Sequence, residues 1–284
     1  MDATELLHID EHNAHLFIPD ADGVVAHDGK RYSTGAKPRT MVCGSYPWAP
    51  TFDAAGIQVI PTAQWEPLIA AGQGNFLPDI VGDTIPCGDQ NGMNYCHAWG
   101  TTMGAMIARL TEGLPYVALA PTSIGGPITG WRNAGADPAD DLQQFEQYGA
   151  CPLADLPDQY SISPNSWKST WKADALNNRV LAAVDVNTWQ ETMTMLLLRI
   201  PVVVGLNWWG HCICYVAPVT GNQIMFRNSW GASWGTNGYA TLNQRKGTPD
   251  GAFAILSMLP SETVQSHLRR RAHLLNLHHH VLAS

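Results

Sequence analysis

Cys96 and the residues around it constrain this chain more than anything else in it. The stretch Asp89-Gln-Asn-Gly-Met-Asn-Tyr-Cys96-His-Ala-Trp-Gly-Thr-Thr places Gln90 a short turn ahead of the cysteine, with Asn91-Gly92 as the turn signal. A run of small and apolar residues follows, from Ala98 through Met103, Ala105, Met106 and Ile107 to Leu110. This predicts a loop feeding a helix, with Cys96 at the helix start. The partial positive charge of a helix N-terminus favours a thiolate, so a cysteine there is placed for chemistry. The competing reading is a small core residue.

A nucleophilic cysteine needs a base, and the base needs a group to orient it. Between residues 75 and 260 the histidines are His97 and His211. Neighbours on a helix point about 100° apart, so His97 is poorly aimed at Cys96. His211 is the remaining candidate. It opens a predicted strand, on which His211, Ile213 and Tyr215 share one face and Cys212 and Cys214 the other. Downstream lies Arg227-Asn228-Ser229-Trp230-Gly231-Ala-Ser-Trp234-Gly235-Thr-Asn-Gly238-Tyr239. Taken singly, Gln90 reads as a loop residue, Asn228 as a turn former and Trp230 as core. Their joint order and spacing favour a site.

With Gln90 and Cys96 upstream, the Asn-Ser-Trp-Gly stretch after a histidine strand resembles the papain-like cysteine peptidases over residues 75–260. The resemblance implies an α+β, two-lobed fold, with a helical lobe opened by the Cys96 helix and a β-barrel lobe carrying His211 and Asn228. It implies Cys96 as nucleophile, His211 as its imidazole partner and Asn228 as the group holding the ring. Trp230 would cover that bond, and Gln90 would donate to the oxyanion. The pair would rest as thiolate and imidazolium. The family's substrate-backbone glycines map to Gly130-Trp131, with Gly125-Gly126 as the competing assignment. The implied activity is peptide-bond hydrolysis through a thioester, on a peptide or protein substrate and without a cofactor.

The chain departs from the family around the nucleophile. Met93 stands where a disulfide cysteine is usual, Asn94 replaces a glycine, Tyr95 is bulky and His97 replaces a tryptophan. His211 also comes earlier than the ~130–150 residues customary after the cysteine, which implies shorter loops. Crowding of the cleft by Asn94 and Tyr95 supports the alternative of a weak or inactive papain-fold binding or structural protein, held in a larger assembly such as a virus particle.

Residues 1–74 read as an arm, with a short hairpin around Val24, Val25 and Tyr32, and residues 261–284 as an amphipathic C-terminal helix. Both are candidates for docking an assembly partner. Helices dominate the first part of the central domain and strands the second. The net charge of -8 argues against nucleic-acid binding. No apolar run is long enough to cross a membrane. The N-terminus lacks the features of a secretory signal, so a cytoplasmic or virion-associated location is expected. The cysteine spacing contains no Cys-x-x-Cys pair, so no metal site is expected and free thiols are.

Overall fold

A computed structural model describes residues 6–39, 49–258, 266 and 268–271. In chain order the elements begin with β1 (Leu7–Ile9), β2 (Val24–His27) and β3 (Lys30–Ser33). The helices α1 (Trp65–Gly72), α2 (Leu77–Val81), α3 (Cys96–Thr111), α4 (Pro121–Thr129), α5 (Pro138–Tyr148) and α6 (Trp171–Leu176) follow. The second part holds β4 (Ala182–Val186), α7 (Trp189–Leu197), β5 (Val202–Leu206), β6 (His211–Val219), β7 (Gln223–Arg227), β8 (Tyr239–Asn243) and β9 (Gly251–Ser257). The architecture is α+β with a helical part and a sheet-rich part.

Seven strands form one sheet in the order β1-β8-β7-β6-β5-β9-β4. Its pairs are antiparallel except β1 with β8, where the N-terminal segment adds an edge strand. The alternation of the strands splits the core in two. Val202, Val204, Leu206, Ile213 and Tyr215 pack on one side with α7 residues Met193 and Leu196. Val203, Cys212, Cys214, Phe253 and Ile255 pack on the other with α3 residues Met103, Ala105 and Ile107. The apolar run after Cys96 thus buries α3 against the sheet, and this fixes the start of α3 beside the start of β6.

Local signals explain the boundaries. Asp137 caps α5 by accepting from the Ala139 amide, and Pro138 occupies its first turn. Thr188 and Glu191 form a reciprocal capping box on α7. Asp28 and Gly29, both at positive φ, turn β2 back on β3.

The N-terminal arm is not a separate body. Ile9, Phe17, Val25, Tyr32, Phe52, Ile60, Trp65 and Ile69 lie in the same core as Val204 and Phe226. The expected C-terminal helix lies mostly outside the described residues. Within them residues 268–271 are helical, and Leu268 is buried in that core.

Candidate active site

Cys96 is the first residue of α3 and is fully buried. His211 is the first residue of β6, and Asn228 follows β7. His211 Nε2 lies 2.7 Å from Asn228 Oδ1. The Ser229 amide donates to that same oxygen at 2.8 Å, which fixes the orientation of the Asn228 side chain. Trp230 stacks on the His211 ring at 4.5 Å, and Tyr32 stacks on Trp230 at 4.8 Å. The imidazole is therefore held edge-on by an amide and face-on by an indole. Gln90 is fully buried; its Oε1 accepts from Ser229 Oγ at 2.6 Å, and its Nε2 donates to the Met93 carbonyl at 2.7 Å.

The cleft between these residues is filled by the chain itself. From Ser33 at the end of β3 to Lys37 the chain runs across the site, bonded through its backbone on both sides. The Ser33 carbonyl accepts from Gln90 Nε2 and from Trp230 Nε1, each at 3.0 Å. The Gly35 and Ala36 amides both donate to the carbonyl of Gly210, the residue before His211, at 3.1 and 3.0 Å. The Lys37 amide donates to the Ala136 carbonyl at 3.0 Å, and Ala36 and Ala136 form a parallel bridge. Passage is tight. A Cβ on Gly35 would sit 2.0 Å from the Asn94 carbonyl oxygen, and one on Gly135 would sit 2.0 Å from the carbonyl oxygen of Gly35.

Closure sets the electrostatics. Loss of water pushes the Cys96 thiol up to about 12, despite backbone groups of Cys212, Ala36 and His97 that favour the thiolate. Burial pushes His211 down to about 4, against the bond from Asn228, which acts the other way. In this closed form the pair is a thiol and a neutral imidazole. The sequence led us to expect thiolate and imidazolium; exclusion of water outweighs the helix N-terminus and the mutual attraction. His211 Nδ1 has no hydrogen-bond partner, so Cys96 is not bonded to it here.

Gly130 and Trp131 lie apart from the backbone that pairs with residues 36–37. Gly130 ends α4 in a left-handed conformation, and Trp131 turns into a cluster with Trp167 and Trp171, at 5.4 and 6.2 Å. Gly125 and Gly126 lie inside α4. The backbone that pairs with the segment is that of Ala136, followed by Asp137, which caps the proline-started α5. Tyr95 does not crowd the cleft either. Its hydroxyl lies 2.6 Å from Thr129 Oγ1 and donates to the Arg132 carbonyl at 2.9 Å, so the ring is directed at α4. His97 pairs with Asp141, both oxygens 2.9 Å from Nδ1, with neither side chain exposed. It joins α3 to α5. A cavity of about 630 Å³ beside Trp131, Tyr148 and Trp171 holds none of the residues considered above for catalysis.

No protein-family model and no curated protein sequence matches the chain. Solved structures do. Xylellain, a cysteine protease from Xylella fastidiosa, superposes with a TM-score of 0.58 at 16% identity, over 78% of this chain and 95% of that one. The fold is that of the papain-like cysteine proteases. Procathepsin B S9 from Trypanosoma congolense gives a TM-score of 0.53 at 14% identity, over 78% of this chain and 85% of that one. Digestive procathepsin L 3 of the Tenebrio molitor larval midgut gives 0.51 at 13% identity, over 86% and 77%. Within this papain-like fold Cys96 opens the long central helix and His211 opens a central strand. Among the described residues no helix is long and apolar enough to cross a membrane.

Proposed function

We propose that the chain is a cysteine endopeptidase whose site is Cys96, His211, Asn228 and Gln90, held in a latent form by its own residues 33–37. The observation that carries this reading is the backbone pairing of that segment. The cleft binds an extended peptide on both edges, and it presents Gln90 Nε2 to a peptide carbonyl. A cleft so furnished accepts polypeptide in general once the segment leaves.

When water re-enters, the pKa values of Cys96 and His211 move back toward each other and the thiolate–imidazolium pair becomes accessible. The thiolate then attacks a substrate carbonyl carbon. Negative charge on the carbonyl oxygen is met by Gln90 Nε2. The tetrahedral adduct collapses, the C–N bond breaks, and the imidazolium gives its proton to the leaving amine. Water, deprotonated by His211, hydrolyses the thioester and restores the thiol. Asn228 suits this cycle because it orients the ring without adding negative charge. The test is hydrolysis of a fluorogenic peptide by the chain opened with Gly35→Val, and by the same chain with Cys96→Ala added. Turnover by the opened chain that vanishes with Cys96→Ala supports the reading; no turnover by the opened chain, or turnover that persists without Cys96, overturns it.

One observation favours a second reading. A thiol raised to about 12 beneath a closed segment also suits a papain-fold binding protein whose cleft never opens. In that case the arm and the C-terminal residues serve an assembly partner.

A further inference from the structure

Arg227 ends β7 directly before Asn228, and it is only 3% exposed. Its Nη2 donates to the Ile85 carbonyl at 2.6 Å, and its guanidinium carbon lies 5.0 Å from the centre of the Tyr239 ring. Nε and Nη1 meet no acceptor, and among the described residues no carboxylate pairs with the guanidinium. The half-buried Cys87 thiol beside it is pushed up by burial, against the pull of Arg227, so it supplies no negative charge. A cavity of about 10 Å³ adjoins Arg227, with Gly88, Trp99, Gly100, Cys212 and Asn228 among its walls. Two of those walls carry further orphaned donors. Trp99 Nε1 and Asn228 Nδ2 are both buried without an acceptor.

Three residues around one small cavity thus bring N–H groups that nothing in the protein accepts from. An arginine does not shed its proton, and a buried charge left unpaired is strongly destabilising. A water molecule must itself donate, and it leaves the charge uncompensated. A monatomic anion accepts from every side and cancels the charge. We propose that Arg227, Trp99 and Asn228 form a binding site for a single small monoanion, a halide of the size of chloride. The cavity has room for about one such guest, so organic anions are excluded. The anion holds Asn228 through Nδ2 while Oδ1 serves His211. Its binding does not depend on the peptidase reading, since neither Cys96 nor His211 lines the cavity.

The experiment uses the full chain in sodium chloride and sodium gluconate, mixed to constant ionic strength so that screening is equal. Melting temperature is expected to rise with the logarithm of chloride concentration once the site fills, and to do the same when bromide replaces chloride. Arg227→Met removes the charge, and the dependence on chloride is expected to vanish. Trp99→Phe keeps the cation and deletes one donor, so the same dependence is expected at about tenfold higher chloride. Crystals of the unaltered chain grown in bromide locate the ion by diffraction at the bromine absorption edge, whether or not Arg227→Met folds. An anomalous peak within hydrogen-bond reach of Arg227 is the predicted result. Melting of the full chain that ignores chloride, an equal dependence in Arg227→Met, or bromide found only on the surface overturns the site.

Discussion

Ser33 presents its carbonyl oxygen to Gln90 Nε2 at 3.0 Å, the same amide proposed to stabilise a substrate oxyanion. One residue of the arm thus occupies the donor assigned to the proposed hydrolysis. In that reading closure and catalysis compete for one group, and the predictions below follow from that competition.

Gly35 is the narrowest point of the closed cleft. A side chain there meets the Asn94 carbonyl, which is backbone and cannot rotate away. Gly35→Val displaces the segment and lifts only Ala36 from the edge of the second core. Labelling of Cys96 by a peptidyl epoxide is expected to rise on the order of tenfold, equivalent to about 1.4 kcal/mol of lost closure. An unchanged rate would show that the segment does not guard the thiol.

The closed cleft has a pH window. His211 is held at about 4 against an ordinary 6.5, so the open, hydrated form binds its proton more tightly. The stability of closure from this group is full above 6.5 and falls as pH drops toward 4, by up to about tenfold per pH unit. Cys96 is held at about 12 against 9, so the closed form keeps that proton more tightly. Its contribution is full below 9 and falls as pH rises toward 12. Closure is most secure between roughly 6.5 and 9. Labelling rates across pH, each referred to the Gly35→Val chain at the same pH, are expected to rise below 6.5. A flat ratio would rule out His211 as the acid-sensitive group.

Gln90→Ala separates the two roles of that side chain. It removes one bond to Ser33, so epoxide labelling of Cys96 speeds up. It also removes the oxyanion donor, so turnover in the opened chain falls by about 10²–10³ in kcat. A parallel change in both rates would reduce Gln90 to a structural residue.

His97 and Asp141 form a buried pair that joins α3 to α5 beside Cys96. His97→Leu leaves the carboxylate alone and is expected to destabilise the fold by about 3–5 kcal/mol, whereas His97→Leu with Asp141→Leu costs much less. Urea denaturation checks both. Equal losses in the two variants would mean that packing, not charge, is what the pair supplies.

Local chemistry made much of this legible in the sequence. The Cys96 helix, the strand opened by His211 and the turn carrying Asn228 each have short-range signals, and their order is informative. The closed cleft was not legible. Residues 33–39 have no periodicity, and their partners Gln90, Ala136, Asp185 and Gly210 are all far along the chain. Tyr95 misled for a related reason: its bulk is visible in sequence, but its direction toward Thr129 is set by α4. Gly130-Trp131 drew attention as a glycine before an aromatic, whereas the backbone that pairs with the segment, at Ala136, was marked only by the capped, proline-started helix after it.

The central claim is that Cys96 is a nucleophile in waiting, activated by His211. Intact-mass analysis of the Gly35→Val chain after brief exposure to a peptidyl epoxide near neutral pH tests it most directly. The account predicts a single adduct on Cys96, lost when His211→Ala is added. No adduct, or one spread over Cys87, Cys151, Cys212 and Cys214 as well, would contradict it.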